Sequence, residues 1–386
     1  MIGVVSRRNQ AGPDRPFTSE AATNDTEADP EAEDRDYDVA VVGDGPAGAA
    51  YALSAARAGR TVVMVGMQSP HPRGTLELLA GGAGHALHRL GLLESLATRA
   101  PACAGTVFRW GRGRFVERPG TADSRGPGWV VDREWFDPLL REGATAAGVE
   151  KIKAVVSTVI FEAGRWQLAC TRRAGGRPSR RICAGEVVLA TGRVSKLANR
   201  CGLQRRVRHR MVAITAWVPG GLAGLGSRLL VDPGPSGWWY ALGDDRGTVV
   251  GYVTDVDLLA AGSDRAGATW RAACSTVGWL PPVLRCADLA LRAGVVSEVI
   301  LPPVVPRPAH SPQLHPLPLG DAALAADPLS GHGLSIALDG ALRATTNPDE
   351  YIHWLAASQE AHRLQERTLY GDEGRYPFEF WRRRRD

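Results

Sequence analysis

Three glycines near the start of the chain have the spacing of a phosphate-binding turn. The apolar run 39–42 precedes them, and an alanine-rich segment with helical character, 49–58, follows at once. Gly43 permits the turn, Gly45 lets backbone N–H groups approach a pyrophosphate, and Gly48 lets the helix pack closely on the strand. The helix N-terminus would also present its unsatisfied donors and partial positive charge to the phosphates. The predicted dinucleotide-binding turn consists of Gly43, Gly45, Pro46, Ala47 and Gly48.

A second glycine-lined segment lies near the other end of the chain, at 320–338, where a Gly-Asp turn precedes another glycine-flanked helix start. A fold that binds only NAD does not need it. Together the two segments resemble the superfamily of FAD-dependent monooxygenases and tryptophan-halogenase-like flavoproteins. That resemblance implies that Asp321 binds the ribityl chain and that the following helix points its N-terminus at the flavin, where it stabilises the anionic reduced ring. The implied contacts are Gly320, Asp321, Pro328, Gly331, Gly333 and Leu334.

Three further segments resemble the same superfamily. A strand ends in Thr191 and Gly192, like the turn that closes over the adenine and ribose side of FAD. The segment 71–79 is similar to the loop that covers the flavin, so Arg73 is either a contact to the flavin or a substrate carboxylate, or a solvated loop residue. Arg133 opens a helix in an Asp-Arg-x-x-Phe-Asp segment. It either contacts the cofactor or only orders the helix.

The second predicted strand, 60–65, departs from the superfamily pattern. In FAD and NAD folds the end of this strand carries an acid that hydrogen-bonds the adenosine ribose. Here that place falls on Gly66. Losing charge-assisted hydrogen bonds costs about 1.5 to 3 kcal/mol per bond. The sequence therefore predicts weak or partial retention of FAD on purification.

The order of these segments predicts an α/β (α+β) fold, in which a glutathione-reductase-type, Rossmann-like FAD domain carries an inserted antiparallel-sheet substrate domain. The expected division is 1–35 as a disordered acidic tail; 36–103, 132–200 and 301–345 as the FAD domain; 104–131 and 201–300 as the substrate domain; and 346–386 as a C-terminal helical region.

Composition limits the class of protein. The 386 residues, 44% of them hydrophobic, suffice for one large or two moderate cores. The formal net charge of +5 is mild, and arginine runs such as 382–385 are expected to be solvated surface, so no nucleic-acid partner is predicted. The six cysteines form no CxxC pair, which favours a reduced, cytoplasmic protein without a metal site. No window approaches the apolar length of a transmembrane helix, so no membrane association is expected.

The cofactor, rather than a set of side chains, defines the expected reaction. The resemblance implies that FAD accepts hydride from NAD(P)H and that a flavin C4a-hydroperoxide then hydroxylates an electron-rich aromatic ring. His332, beside the predicted flavin helix, either serves catalysis as a donor or proton shuttle, or only satisfies its own turn. Trp238, Trp239 and Tyr240 alternate faces of a predicted strand. At least one of them should therefore face the substrate cavity if the strand lies there, and the alternative is that they pack the sheet.

The substrate is predicted from resemblance alone. Tryptophan halogenases carry a lysine on the helix after the covering loop, and here Gly84 takes that place, so halogenation loses support. The chain also resembles the halogenase-like flavoproteins that hydroxylate a tryptophan in a partner polypeptide, an amine dehydrogenase subunit, during tryptophylquinone cofactor biogenesis. The alternatives are a small-molecule aromatic hydroxylase of secondary metabolism and a non-catalytic flavoprotein that binds a partner polypeptide.

Overall fold

The computed structural model of the protein describes residues 36–72, 74–111, 113–172, 174, 176, 179–193, 196–285, 290–300 and 315–385. The predictions made for the tail 1–35 and for Arg73 lie outside these residues.

The strands are, in chain order, β1 (Asp36–Val42), β2 (Val62–Gly66), β3 (Leu76–Leu79), β4 (Gly105–Phe108), β5 (Val116–Pro119), β6 (Trp129–Asp132), β7 (Glu150–Lys153), β8 (Val155–Glu162), β9 (Arg165–Thr171), β10 (Arg180–Leu189), β11 (Arg206–Val207), β12 (Met211–Pro219), β13 (Arg228–Gly234), β14 (Gly237–Gly243), β15 (Gly247–Asp255), β16 (Arg292–Val295), β17 (Val299–Ile300), β18 (Leu317–Pro318) and β19 (Leu324–Ala325). The helices are α1 (Pro46–Arg57), α2 (Ala83–Arg89), α3 (Leu93–Ala97), α4 (Arg133–Ala146), α5 (Lys196–Arg200), α6 (Arg265–Cys274), α7 (Gly333–Thr346), α8 (Pro348–Asp372) and α9 (Glu379–Arg385). Among the described residues, no helix combines the length and the apolar character needed to cross a bilayer.

The first sheet is parallel at its centre and contains seven strands of the described residues. Its order is β7-β2-β1-β10-β9-β8, and β18 pairs with the end of β10. β1 runs parallel to both β2 and β10, and Val39, Ala40 and Val41 are fully buried. A strand covered on both faces requires such a continuous apolar run. α1 packs against both α4 and α7, which brings together the two helices that begin at glycine-rich turns.

The second sheet is mostly antiparallel, in the order β16-β12-β15-β14-β13-β4-β5, with β4 parallel to β13. Side chains of β14 alternate between its faces. Trp239 packs against Trp270 of α6 and is fully buried in an aromatic cluster on one face. Trp238 and Tyr240 lie on the other face, 6.0 Å apart between ring centroids. The sheet therefore has one closed face and one face that borders a cavity.

The C-terminal helices α8 and α9 close the second sheet at one end. Arg384 is buried, donates to Asp255 Oδ1 at 2.5 Å, and stacks 3.8 Å from the ring centroid of Phe380. The expectation that the arginine run 382–385 is solvated is therefore wrong for Arg384. A buried guanidinium is tolerated there because a carboxylate neutralises it and an aromatic face covers it.

Candidate flavin site

In the first glycine turn, residues 43–48, two glycines are required by close packing and the third borders open space. A Cβ on Gly43, where φ is +113°, would lie 2.1 Å from the carbonyl oxygen of Ala190. A Cβ on Gly48 would lie 2.0 Å from the carbonyl oxygen of Gly43. A Cβ on Gly45, which precedes α1, would meet nothing within 4 Å. Gly45 is thus not needed for packing, and it leaves an open cradle at a helix N-terminus, where a phosphate fits.

The two glycine-rich segments meet in space. Gly320 has φ +59°, and a Cβ there would lie 2.6 Å from the Cβ of Ala47 in the first glycine turn. The N–H of Leu319 donates to the carbonyl oxygen of Leu189 at 2.9 Å, so the second segment lies beside the end of β10. Thr191 and Gly192 follow that end after one intervening residue. The structure therefore brings the sequence-predicted cofactor residues of all three segments to one edge of the first sheet.

A cavity of about 260 Å³ lies between the second glycine segment and the second sheet. Its lower side is formed by residues 326–334, which end at the start of α7. Its upper side includes Trp238, Tyr240 and Leu242 of β14. Glu77 of β3 and Arg193 also border it. Apolar walls with a few convergent polar groups are typical of a small-molecule or cofactor site.

The start of α7 suits a flavin ring because several of its polar groups have no hydrogen-bond partner among the described residues. Its N-cap, His332, makes no side-chain cap hydrogen bond. A Cβ added to Gly331 or to Gly333 would meet nothing within 4 Å. The buried atoms His332 Nδ1 and Ser335 Oγ find no partner among the described residues. Free backbone donors at a helix N-terminus and the positive end of its dipole suit the electron-rich edge of a flavin, so this donor set fits the cofactor.

Asp321 is held beside the cavity by an arginine that sequence reasoning did not select. Arg193 Nη2 lies 3.1 Å from Asp321 Oδ2. Burial raises the pKa of the Asp321 carboxyl, and the charge of Arg193 opposes that rise. The available signal for Arg193 was its position directly after Gly192, in the turn that ends β10.

Arg133 is occupied by carboxylates of the protein and does not line the cavity. Its Nε donates to Asp137 Oδ1 at 2.5 Å and its Nη1 donates to Glu77 Oε1 at 2.7 Å. Burial opposes the charge, but the two carboxylates outweigh it and raise the pKa of Arg133. Of the two alternatives stated for Arg133, these contacts favour the one in which it orders the start of α4. They also fix Glu77, which sequence reasoning missed, at the cavity edge.

The three aromatic residues of β14 that were predicted to line the cavity lie on two different faces of the strand. Trp238 and Tyr240 line the cavity, whereas Trp239 does not. The prediction for Trp239 is wrong because successive side chains of a strand point to opposite faces. Trp239 instead contacts Trp270 and Tyr252 in the closed core, at centroid distances of 4.9 and 4.8 Å.

Behind the second glycine segment lies a group of buried ionisable side chains. Burial lowers the pKa of His332, so its imidazole is neutral at neutral pH. Asp327 accepts from Leu329 N at 2.8 Å and from the Tyr370 hydroxyl at 3.1 Å, and burial raises its pKa. Burial also raises the pKa of Glu298, to about 7. Burial therefore favours the uncharged form of all three groups behind this segment.

Glu298, Glu366 and His209 are close enough to suggest a metal site, since their ligand atoms lie within 4.8 Å of one another. Arg208 Nη1, however, donates to Glu298 Oε1 at 2.9 Å and to Glu366 Oε2 at 2.7 Å. A guanidinium that bridges both carboxylates takes the place of a cation. We interpret the cluster as an ion-pair network.

Comparison with known proteins agrees with this geometry. The sequence model of the family described as pyridine nucleotide-disulphide oxidoreductase matches residues 37–216. The protein named FAD-dependent oxidoreductase LodB, from Marinomonas mediterranea, is 24% identical over 90% of this chain and 96% of its own length. The flavin-dependent halogenase CmlS is similar in structure, with a TM-score of 0.76 and 22% identity over 91% of this chain and 68% of that chain. The peptidyl tryptophan dihydroxylase QhpG, essential for tryptophylquinone cofactor biogenesis, has a TM-score of 0.69 and 22% identity over 91% of this chain and 79% of its own.

These similarities confirm the predicted fold class, a mixed α/β, Rossmann-like FAD-binding fold with an additional, mostly antiparallel sheet, as in flavin halogenases. In sequence and fold the chain is similar to flavin-dependent oxidoreductases of the monooxygenase and halogenase type.

Proposed function

We propose that this protein is an FAD-dependent monooxygenase that uses NAD(P)H and dioxygen to hydroxylate an electron-rich aromatic ring, in first place a tryptophan of a partner polypeptide. The observation that carries the proposal is the cavity between the start of α7 and the aromatic face of β14. One side presents backbone donors for a flavin, and the other presents Trp238 and Tyr240 for a flat apolar substrate.

The residues around the cavity have separable roles in this proposal. Bound FAD supplies hydride acceptance and the activation of dioxygen. Gly45 leaves the cradle for the pyrophosphate, and the N-terminus of α7 stabilises negative charge on the ring. Trp238 and Leu242, both buried, exclude water from the reacting ring. His332, neutral and with a buried Nδ1, can hold or pass a proton at that atom.

Hydroxylation is favoured over halogenation because the cavity has no lysine. The whole sequence contains three lysines, Lys151, Lys153 and Lys196. All three are exposed, and none borders the cavity. At the helix position where the resemblance to tryptophan halogenases implies a lysine, a Cβ on Gly84 would already lie 3.1 Å from Trp129. This contact is tighter than usual, so a side chain at that position would require the indole ring to shift by a few tenths of an ångström.

The size of the cavity supports an acceptor with a single ring system. A volume of about 260 Å³ must accept part of the flavin as well as the acceptor. The cavity can hold the side chain of a tryptophan while the rest of the polypeptide that carries it stays outside. The similarity in structure to QhpG, a peptidyl tryptophan dihydroxylase, supports the same choice. A free small aromatic compound fits the same volume, so it is the second candidate.

The test reconstitutes the protein with FAD and measures NAD(P)H oxidation and oxygen uptake with three additions. These are a tryptophan-bearing polypeptide, the same polypeptide with phenylalanine in place of tryptophan, and a set of free indoles and phenols. We expect acceleration, and a mass gain in units of oxygen, only with the first. Acceleration only with free aromatics would replace the first substrate class by the second. A halogenated product in the presence of chloride or bromide, or no NAD(P)H consumption with any addition, would overturn the monooxygenase proposal.

A further inference from the structure

FAD and NAD folds carry a ribose-binding acid at the end of β2. In this fold a carboxylate also lies there, but it comes from another segment of the chain. Residue 66 is glycine, but a Cβ built on it would lie 2.3 Å from Asp44 Cγ and 2.5 Å from Asp44 Oδ1. Atoms cannot approach so closely, so no side chain at 66 can coexist with Asp44 in its present position. The carboxylate of Asp44, from the first glycine turn, occupies the space that a side chain at 66 would enter.

Two contacts hold Asp44 in this place. Its Oδ2 accepts the backbone N–H of Gln68 at 2.8 Å, and Gln68 has φ +51°, a left-handed conformation that is uncommon outside glycine. The backbone after β2 thus bends so that its N–H faces the carboxylate. Arg141 Nη1 of α4 donates to the carbonyl oxygen of Asp44 at 3.3 Å, which fixes the main chain of the turn. Oδ1 accepts no hydrogen bond from the described part of the chain.

We propose that Asp44 binds the adenosine ribose of FAD and replaces the acid that other dinucleotide-binding folds carry at the end of β2. The inference rests on FAD as the cofactor of the proposed function. A half-buried carboxylate with one oxygen held by Gln68 and the other available can accept hydrogen bonds from vicinal ribose hydroxyls. The expectation of weak FAD retention, which rested on Gly66 alone, is thereby replaced by ordinary retention.

The experiment measures dissociation constants of the full-length apoprotein by flavin fluorescence, for FAD and for an FAD analogue with 2′,3′-dideoxyadenosine. We expect the wild-type protein to prefer FAD over the analogue by about 10- to 100-fold, the range of charge-assisted hydrogen bonds. Asp44→Ala should lose about the same factor for FAD and should bind both ligands about equally. Asp44→Asn, which keeps the shape but not the charge, should fall between the two.

The matched control is Glu162→Ala, an exposed carboxylate at the end of β8 in the same sheet, which should change neither constant. Circular dichroism and thermal unfolding of each apoprotein establish that the variants fold. If Asp44→Ala weakens FAD and the analogue equally, Asp44 only shapes the turn and the proposal is wrong. Unchanged FAD affinity in Asp44→Ala overturns it too. A wild-type protein that binds no FAD at all would instead remove the cofactor on which the proposed function depends.

Discussion

The two glycine-lined helix starts, at Gly45 and at Gly333, both face open space but differ in their surroundings. On either side of Gly45 the backbone is closely packed, since a Cβ on Gly43 would lie 2.1 Å from the carbonyl oxygen of Ala190 and a Cβ on Gly48 would lie 2.0 Å from that of Gly43. Around Gly333 the neighbours are side chains from several elements, among them His332, Arg193 and Tyr240. The first start is defined by backbone geometry. The second adds side chains that line a cavity, among them the ionisable side chains of His332 and Arg193.

The substitution with the largest predicted consequence lies at the first helix start, at Gly45. Gly45→Val should lower FAD affinity by more than about 100-fold, because the new side chain fills the cradle that the pyrophosphate needs. The apoprotein should keep its stability, since a Cβ at this position meets nothing within 4 Å and φ is −75°. Thermal unfolding without FAD, together with FAD titration, separates the two properties.

The matched variant is Gly43→Val, in the same turn. It should unfold at markedly lower temperature even without FAD, because its Cβ would lie 2.1 Å from the carbonyl oxygen of Ala190 and its φ is +113°. Equal losses of apoprotein stability in both variants would contradict the interpretation that Gly43 is needed for packing and Gly45 for the cofactor cradle.

At the other helix start, a side chain should matter for turnover rather than for binding. His332→Ala should reduce kcat by about 10- to 100-fold, as expected for loss of a proton-transferring group, and change FAD affinity by less than about threefold. The measurement is single-turnover kinetics with the saturating acceptor, beside FAD titration. His362→Ala is the neighbouring control, since its ring centroid lies 6.0 Å from that of His332 but outside the cavity. An unchanged kcat in His332→Ala would mean that the residue only shapes its turn.

The same contrast explains what the sequence could predict. Local sequence patterns predicted the first glycine turn, the strand before it and the second glycine segment, because these segments depend on backbone geometry. Partners that come from other elements could not be predicted. Arg133 shows this, since its carboxylate neighbour Glu77 comes from a different strand. The alternation of Trp238, Trp239 and Tyr240 could be predicted, but which face of β14 borders the cavity depends on how the sheet packs. Gly66 suggested a missing acid because Asp44 reaches its place only in three dimensions.

The buried ionisable groups behind the second glycine segment should make stability depend on pH. The folded pKa of Glu298, about 7, exceeds the ordinary value of 4.5. The folded protein therefore binds more protons than the unfolded one between these values, and this contribution to stability is lost as pH rises through 7. Glu298→Gln cannot ionise, so relative to wild type it should gain on the order of 2 kcal/mol between about pH 5 and about pH 8. Urea unfolding at both pH values measures the difference, and parallel pH profiles would contradict it.

The smallest expected effect concerns residue 66, beside the first helix start. Gly66→Ala places a Cβ 2.3 Å from Asp44 Cγ, so Asp44 must move, and FAD affinity should fall by about five- to tenfold. In an Asp44→Ala background the same substitution should have almost no effect, because the space is then free. FAD titration of the two single variants and the double variant gives the coupling directly. Equal losses in both backgrounds would show that residues 44 and 66 act independently, and the ribose would then need another partner. Strong coupling would support the proposal that the acid for the ribose comes from the turn, at Asp44, rather than from the end of β2, while the backbone cradle around Gly45 stays unchanged.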